Sequence, residues 1–514
     1  MKTPVLSFFI LVSIVASCGQ EQRSENSEQR LGVVDLEVTG SEEALPKFER
    51  GLLLLHSFEY VDAREAFREA KERDPNMAMA YWGEALTYNH SLWRNQKYNE
   101  ARDVVDSLDA LDVDLTPIEN DLIETLHVLY KPDTEKAARD IAYRDALESL
   151  HQKYPNSEDV GSLYALSILG AVQEGRDYDA YARAAEIAGE VIEKNPEHPG
   201  ALHYYIHACD DPKNAEKALD EAYAYAKVAP DAAHALHMPS HIFSAMGLWD
   251  DLIASNIDAF KASAERRKRK DLPYKALDYH SFHWLEYGYL QKGQTDSAEA
   301  IFGRMKRYSE MDSAKRSRYH LIFQQSTFLA ETGDYTHPIA DVEVHATDLA
   351  VTIRAQQKVV EGMQAYQNSD TAKLRSAFTA IEEIARLESL FLDTADFKIC
   401  IDLNREMPRQ IDIDLSLIMA MQLRAMHEHS LGNHERAEEL LQSAVEKELE
   451  HPYSFGPPTV RKPSTELYAD WLLEQGRAEE AAAFYTKTIE RAPGRRLAIE
   501  GEKQAKELAQ VAQL

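Results

Sequence analysis

Cysteine is nearly missing from this chain, with three in 514 residues, at positions 18, 209 and 400. Beyond the N-terminal apolar segment only Cys209 and Cys400 remain, too few for a disulfide framework or a cysteine-rich zinc ribbon. Stability must therefore come from packing. Basic residues are also scarce, 57 Lys and Arg against 87 Asp and Glu, which gives a formal charge of −30. A surface of that sign repels phosphate backbones and anionic head groups, and nucleic acid is not an expected partner. The one basic run, RRKRK at 266–270, reads as a solvated helix end. Strand-like alternation and turn dipeptides such as Asn-Gly are nearly absent. No glycine-rich phosphate loop, H-E-x-x-H helix or G-x-S-x-G elbow occurs. Ser240 lies beside His241, but its helix position takes a small packing residue, and packing is its expected role.

What is present is helical periodicity from about residue 44 onward, so the fold class is all-α. The run EYVDAREAFREAKERDP places Ala63, Phe67 and Pro75 on the A-x3-F and later P positions of the 34-residue tetratricopeptide (TPR) pattern. Counting back starts that repeat at 44, with Gly51 where its two helices touch. Leu285, Tyr289, Gly293, Ala298 and Phe302 fit the same ruler, as do Ala469, Leu472, Gly476, Ala481, Tyr485 and Pro493. Further copies fall near 199–232, 233–266, 319–350 and 418–450. The expected architecture is a right-handed superhelix of helical hairpins, each burying its apolar stripe against its neighbours. We divide it into an N-terminal array over 44–389, an irregular connection over 390–415 and a C-terminal array over 416–514. The proline-stiffened stretch FGPPTVRKP (455–463) either folds over the groove or joins two repeats.

Histidine is concentrated on the repeat ruler. His203 and His207 occupy positions 5 and 9 of one repeat; His234, His237 and His241 occupy positions 2, 5 and 9 of the next. His280 and His283 take positions 2 and 5 of a third, with Tyr287 at 9. Helical geometry alone puts these positions on one face, so the rings should converge in one stretch of groove. Three readings compete: histidines satisfied by local partners, a metal site, and a groove that binds a peptide or partner protein in the manner of other repeat scaffolds. The i, i+4 pairs His203/His207 and His237/His241 suit chelation from one helix, with Asp210 available as ligand or orienter. Imidazole donors suit zinc, iron, copper or nickel and do not suit calcium or magnesium. The first-choice ligands are His203, His207, Asp210, His237 and His241, with His234, His280, His283 and Tyr287 as further groove residues. An open coordination position would also permit catalysis of a reaction the sequence does not name. His56 and His90 are expected to pack locally.

Two resemblances add to this reading. MKTPVLSFFILVSIVASC resembles a bacterial lipoprotein signal, with VASC similar to the lipobox. The resemblance implies a signal peptide over 1–17 and a lipid anchor on Cys18, with 18–43 as a flexible tether. Gly19 is similar to the pattern sorted onward to the outer membrane, facing the periplasm. The blocks HPGALHYYIHACDDP, HALHMPSHIFSAMGLWDD, YHSFHWLEYGYL and FGPP resemble a widespread group of bacterial TPR proteins that share them in this order. That group usually has glutamate at Asp210 and asparagine at Ser281. The resemblance implies a TPR architecture and a purpose for the histidine blocks without naming the purpose.

Overall fold

The computed structural model describes residues 30–392 and 408–512. The signal segment and Cys18 lie outside the described residues. The N-terminal helices are α1 (Leu45–His56), α2 (Tyr60–Arg73), α3 (Ala78–Leu86), α4 (Tyr98–Asp109), α5 (Pro117–Leu129), α6 (Lys136–Lys153), α7 (Glu158–Ala171) and α8 (Tyr178–Lys194). The middle contains α9 (Pro199–Cys209), α10 (Leu219–Val228), α11 (Ala233–His237), α12 (Pro239–Met246), α13 (Trp249–Arg269), α14 (Tyr279–Gln291), α15 (Thr295–Met311) and α16 (Lys315–Thr332). The C-terminal part contains α17 (Val351–Gln367), α18 (Thr371–Leu392), α19 (Gln410–Ser430), α20 (His434–Glu450), α21 (Ser464–Glu474), α22 (Ala478–Arg491) and α23 (Arg496–Ala512). Among the described residues the only strands are the two-residue pair Asn89–His90 and Asn95–Gln96. The fold is an all-α array of TPR-type helical hairpins.

The repeat pattern works through close packing. Phe67 of α2 is fully buried, and an ideal Cβ would come within 2.7 Å of its ring at Gly51 and 2.4 Å at Gly83. Only hydrogen at those two positions lets α1 and α3 close on the same ring. In the basic run, Arg266 donates to Asp62 at 2.9 Å and Lys270 pairs with Asp62 at 3.1 Å, so part of its charge is neutralised by α2.

Four expectations are corrected. Residues 30–43 are not a free tether: Leu31 is buried, and Val34, Leu36 and Val38 pack on the N-terminal core. Backbone donors of this segment reach Glu197 O at 2.9 Å from Val33 and Asp74 at 2.8 Å from Ser41. The irregular connection is shorter than 390–415, because α18 runs to Leu392 and α19 starts at Gln410; 393–407 lie outside the described residues. The copy at 319–350 lacks a second α-helix. Gly333 ends α16 in the left-handed region at φ +68°, and apart from a 3-10 turn at Pro338–Asp341 the chain stays irregular until α17. Finally, the C-terminal helices share one hydrophobic core with α17 and α18, which the expected division put in the N-terminal array, and their last turn packs against the middle of the chain. Gly247, at φ +72°, ends α12 so close to the turn before α23 that an ideal Cβ would lie 2.7 Å from Pro493 O. Trp249 Nε1–H donates to Gly494 O at 2.8 Å and Arg496 Nε–H to Leu290 O at 3.0 Å, closing the end of the chain onto its middle. No described helix is long and apolar enough to cross a membrane.

Candidate metal centre

Three helical segments supply the histidines. In α9, His203 and His207 sit one turn apart with Asp210 at the C-cap. The next segment is broken in name only: Pro239 removes one backbone donor, yet Met238 keeps helical angles (φ −54°, ψ −37°), so His234, His237 and His241 stay on one face. The third segment is α14, which carries His280.

Six rings form one chain of contacts. Centroids are 4.9 Å apart for His203/His207 and for His203/His234, 5.1 Å for His207/His241, 5.2 Å for His237/His241 and 4.6 Å for His237/His280. The expected first-choice ligands therefore lie together, but they do not form one coordination sphere. Donor atoms within 4.8 Å of one another fall into His203/His207/His234, His237/His241/His280 and His207/Asp210/His241.

The rings are held by their Nδ1 atoms. His203 Nδ1 lies 2.7 Å from His56 O, His237 Nδ1 2.7 Å from Asn256 Oδ1, and His241 Nδ1 2.9 Å from Asp210 Oδ2. His207 Nδ1 faces the same carboxylate oxygen at 3.6 Å. An acceptor at each Nδ1 fixes the proton there and leaves Nε2 with a lone pair. The Nε2 atoms of His207 and His237 are buried without a hydrogen-bond partner, while those of His203 and His234 face each other at 3.2 Å.

Asp210 reads as the orienter. Its Oδ1 accepts from Arg176 Nη1 at 2.6 Å, and Arg176 also pairs with Asp211 at 3.0 Å. Burial raises the Asp210 carboxyl, but hydrogen bonds from His207 and His241 and the Arg176 charge outweigh it and hold the group well below the usual carboxylate range. Burial, followed by the neighbouring histidines, pushes His203, His234 and His280 down; burial takes His241 to about 3 despite Asp210. Neutral imidazole is the form that binds a metal.

Aromatic walls surround the rings: Phe58 against His203 at 4.3 Å, and Trp284 and Phe455 against His241 at 4.7 and 4.8 Å. The proline-stiffened stretch joins α20 to α21 and also covers the histidines. Gly456, at φ +80°, lies so close to Trp284 that an ideal Cβ would sit 2.2 Å from its ring.

His283 continues the row, its ring 5.3 Å from that of His280, and it pairs through Nδ1 with His320 Nδ1 at 3.1 Å and stacks on Phe323. One expected groove residue sits elsewhere. Tyr287 contacts Arg495 Nη1 through its hydroxyl at 3.3 Å, within an ion network that holds the C-terminal turn. Position 9 of that repeat faces the returning chain instead of the histidines. Ser240 is buried, 3.2 Å from His237 Nδ1, and braces that ring. His90 stacks on Tyr60 at 4.0 Å, and His56 is bound to Asp159 and Tyr204, each at 3.0 Å. Arg176, Asn256 and His320 were missed. Arg176 stands 34 residues before Asp210, one repeat length, and that offset was the available signal.

Fold and site together define a class, an all-α protein of TPR-type hairpins with a buried histidine cluster. The sequence matches no protein-family model and no curated protein. Among solved structures it is similar to yeast Tom70, at 11% identity over 92% of this chain and 90% of that one, with a TM-score of 0.32. It is also similar to the APC/C hetero-tetramer Cut9-Hcn1, at 11% identity over 90% and 76% with a TM-score of 0.37. A third is the P58(IPK) TPR domain, at 14% identity over 91% and 99% with a TM-score of 0.22. The class assignment rests on the helices and their packing.

Proposed function

We propose that this protein is a helical-hairpin scaffold that binds a transition metal on histidine inside its groove, anchored through lipidated Cys18 to a bacterial envelope membrane and facing the periplasm. The anchor and its location rest on the sequence alone. A TPR-type scaffold fits a protein-interaction role, since stacked hairpins present a long concave surface. At the histidines, however, Phe455 and Trp284 cover the rings, which favours a small ligand over an extended peptide.

One observation carries the metal reading. His203 of α9, His237 of α11 and His241 of α12 are each tied at Nδ1 to an acceptor, while Nε2 of His203 faces that of His234 and Nε2 of His207 and His237 is buried without a partner. Packing alone gives no reason for several rings to share that polarity, whereas oriented metal ligands require it. Zinc, copper, iron and nickel suit such donors.

Protein purified without a histidine tag should carry near-stoichiometric metal by elemental analysis, and should lose it when His207 and His241 are both changed to alanine. Asp210→Asn should keep the metal and weaken its affinity by about 10- to 100-fold, because only the orienting charge is removed. Protein that stays metal-free after exposure to all four ions would leave the metal-free scaffold for a partner as the better account.

A further inference from the structure

Resting on that reading, we infer that the cluster is built for two metal ions, one on His203, His207 and His234 and one on His237, His241 and His280. The two triads share no residue, and within each the donor atoms lie within 4.8 Å of one another. A four-coordinate ion about 2.0–2.1 Å from each imidazole nitrogen holds neighbouring nitrogens roughly 3.3 Å apart. His203 Nε2 and His234 Nε2 are already 3.2 Å apart. A single ion of this kind uses three or four donors, so six imidazoles, three of them fixed at Nδ1, exceed what one can hold.

The triads are side by side. His207 of the first and His241 of the second have centroids 5.1 Å apart, and His234 and His237 are 6.1 Å apart. Asp210 joins them: Oδ2 faces Nδ1 of both His207 and His241, and Oδ1 is held by Arg176. One carboxylate thus orients a ligand in each triad.

Three protein ligands per ion leave a coordination position open on each. The six imidazoles are neutral as ligands, and Arg176 offsets one of the two carboxylates Asp210 and Asp211, so two divalent ions keep most of their positive charge in a site walled by Phe58, Trp284 and Phe455. Low-dielectric walls strengthen the attraction of that charge for an anion. The ligand class that fits is a small anion bridging the two ions, hydroxide or a compact oxyanion.

The test is stoichiometry. Tag-free, metal-stripped full-length chain is titrated with Zn²⁺ and, separately, Co²⁺, with elemental analysis after removal of free ion and circular dichroism to confirm the fold. The expected result is two ions per chain, with one remaining in His234→Ala and one in His280→Ala; both residues are half-buried, which favours retention of the fold. One ion in the unmodified chain would overturn the pair and leave the metal reading standing. No ion at all would overturn both. Azide added to the Co²⁺-loaded protein should shift its visible spectrum in the unmodified chain, and an unchanged spectrum would remove the bridging-anion assignment.

Discussion

Replacing Arg495 with methionine should cost about 3–5 kcal/mol of stability, because it leaves the buried Glu331 without a counter-charge and takes one of two from Glu466. Arg495 is fully buried between Glu331 of α16 and Glu466 of α21, and its Nη2 is 3.0 Å from Glu466 Oε1. Burial would lower its pKa, but the two carboxylates raise it well above the ordinary value. Glu466 is raised by burial and brought down to about 2 by Arg495 and Lys462. Removing the guanidinium leaves Lys462 beside Glu466, at 2.8 Å, and only the Gln291 amide on Glu331, at 2.9 Å. The same turn carries the Trp249–Gly494 and Arg496–Leu290 bonds, so hydrogen exchange should rise in α14, α16 and α21 together. Arg495→Lys should lose less, since it keeps a charge while giving up the two-sided fork. Adding Glu331→Gln to Arg495→Met should recover part of the loss. Urea melts of the four proteins check this, and a single variant within 0.5 kcal/mol of the unmodified chain would show that the closure is not held by this ion group.

That closure marks the border of what the sequence discloses. Repeats were legible because each hairpin needs the same small and large residues at fixed offsets, as Gly51 and Phe67 show. The histidine register was legible for the same reason, and even Pro239 did not spoil it, since the backbone keeps helical angles across Met238. Contacts between distant repeats have no period to read. Phe455 reaches His241 and Gly494 reaches Trp249 across more than 200 residues, and nothing local announces either. Tyr287 was misplaced because the ruler fixes a helical face without fixing what lies opposite it. The packed segment after residue 30 did have a signal: Val34, Leu36 and Val38 alternate with Asp35 and Glu37, a two-residue period hidden inside a polar stretch.

The second large effect concerns Glu286, and it should appear as a stability that falls as pH rises. Glu286 lies on α14, fully buried, with neither carboxyl oxygen hydrogen-bonded to the protein. Burial pushes its pKa well above the ordinary value, and Arg461 opposes this only in part. Arg461 is itself brought down to about 9 by burial and stacks on Phe323. Below the unfolded value of about 4.3 the folded and unfolded chains both carry the proton, and Glu286 adds no pH dependence. Above it the unfolded chain releases the proton while the folded chain retains it, so stability declines by about 1.4 kcal/mol per pH unit until the folded pKa is reached. Glutamine keeps the shape and the polar end but has no proton to lose. Glu286→Gln should therefore match the unmodified chain near pH 4.5 and exceed it at higher pH, with the gap widening until the folded pKa of Glu286 is passed. The comparison cancels titrations common to both proteins, including those of the histidines and of the −30 surface. Urea melts at pH 5, 6.5 and 8 measure the gap, and a gap that stays constant across them would mean that Glu286 is ionised in the folded chain, with Arg461 as its effective counter-charge.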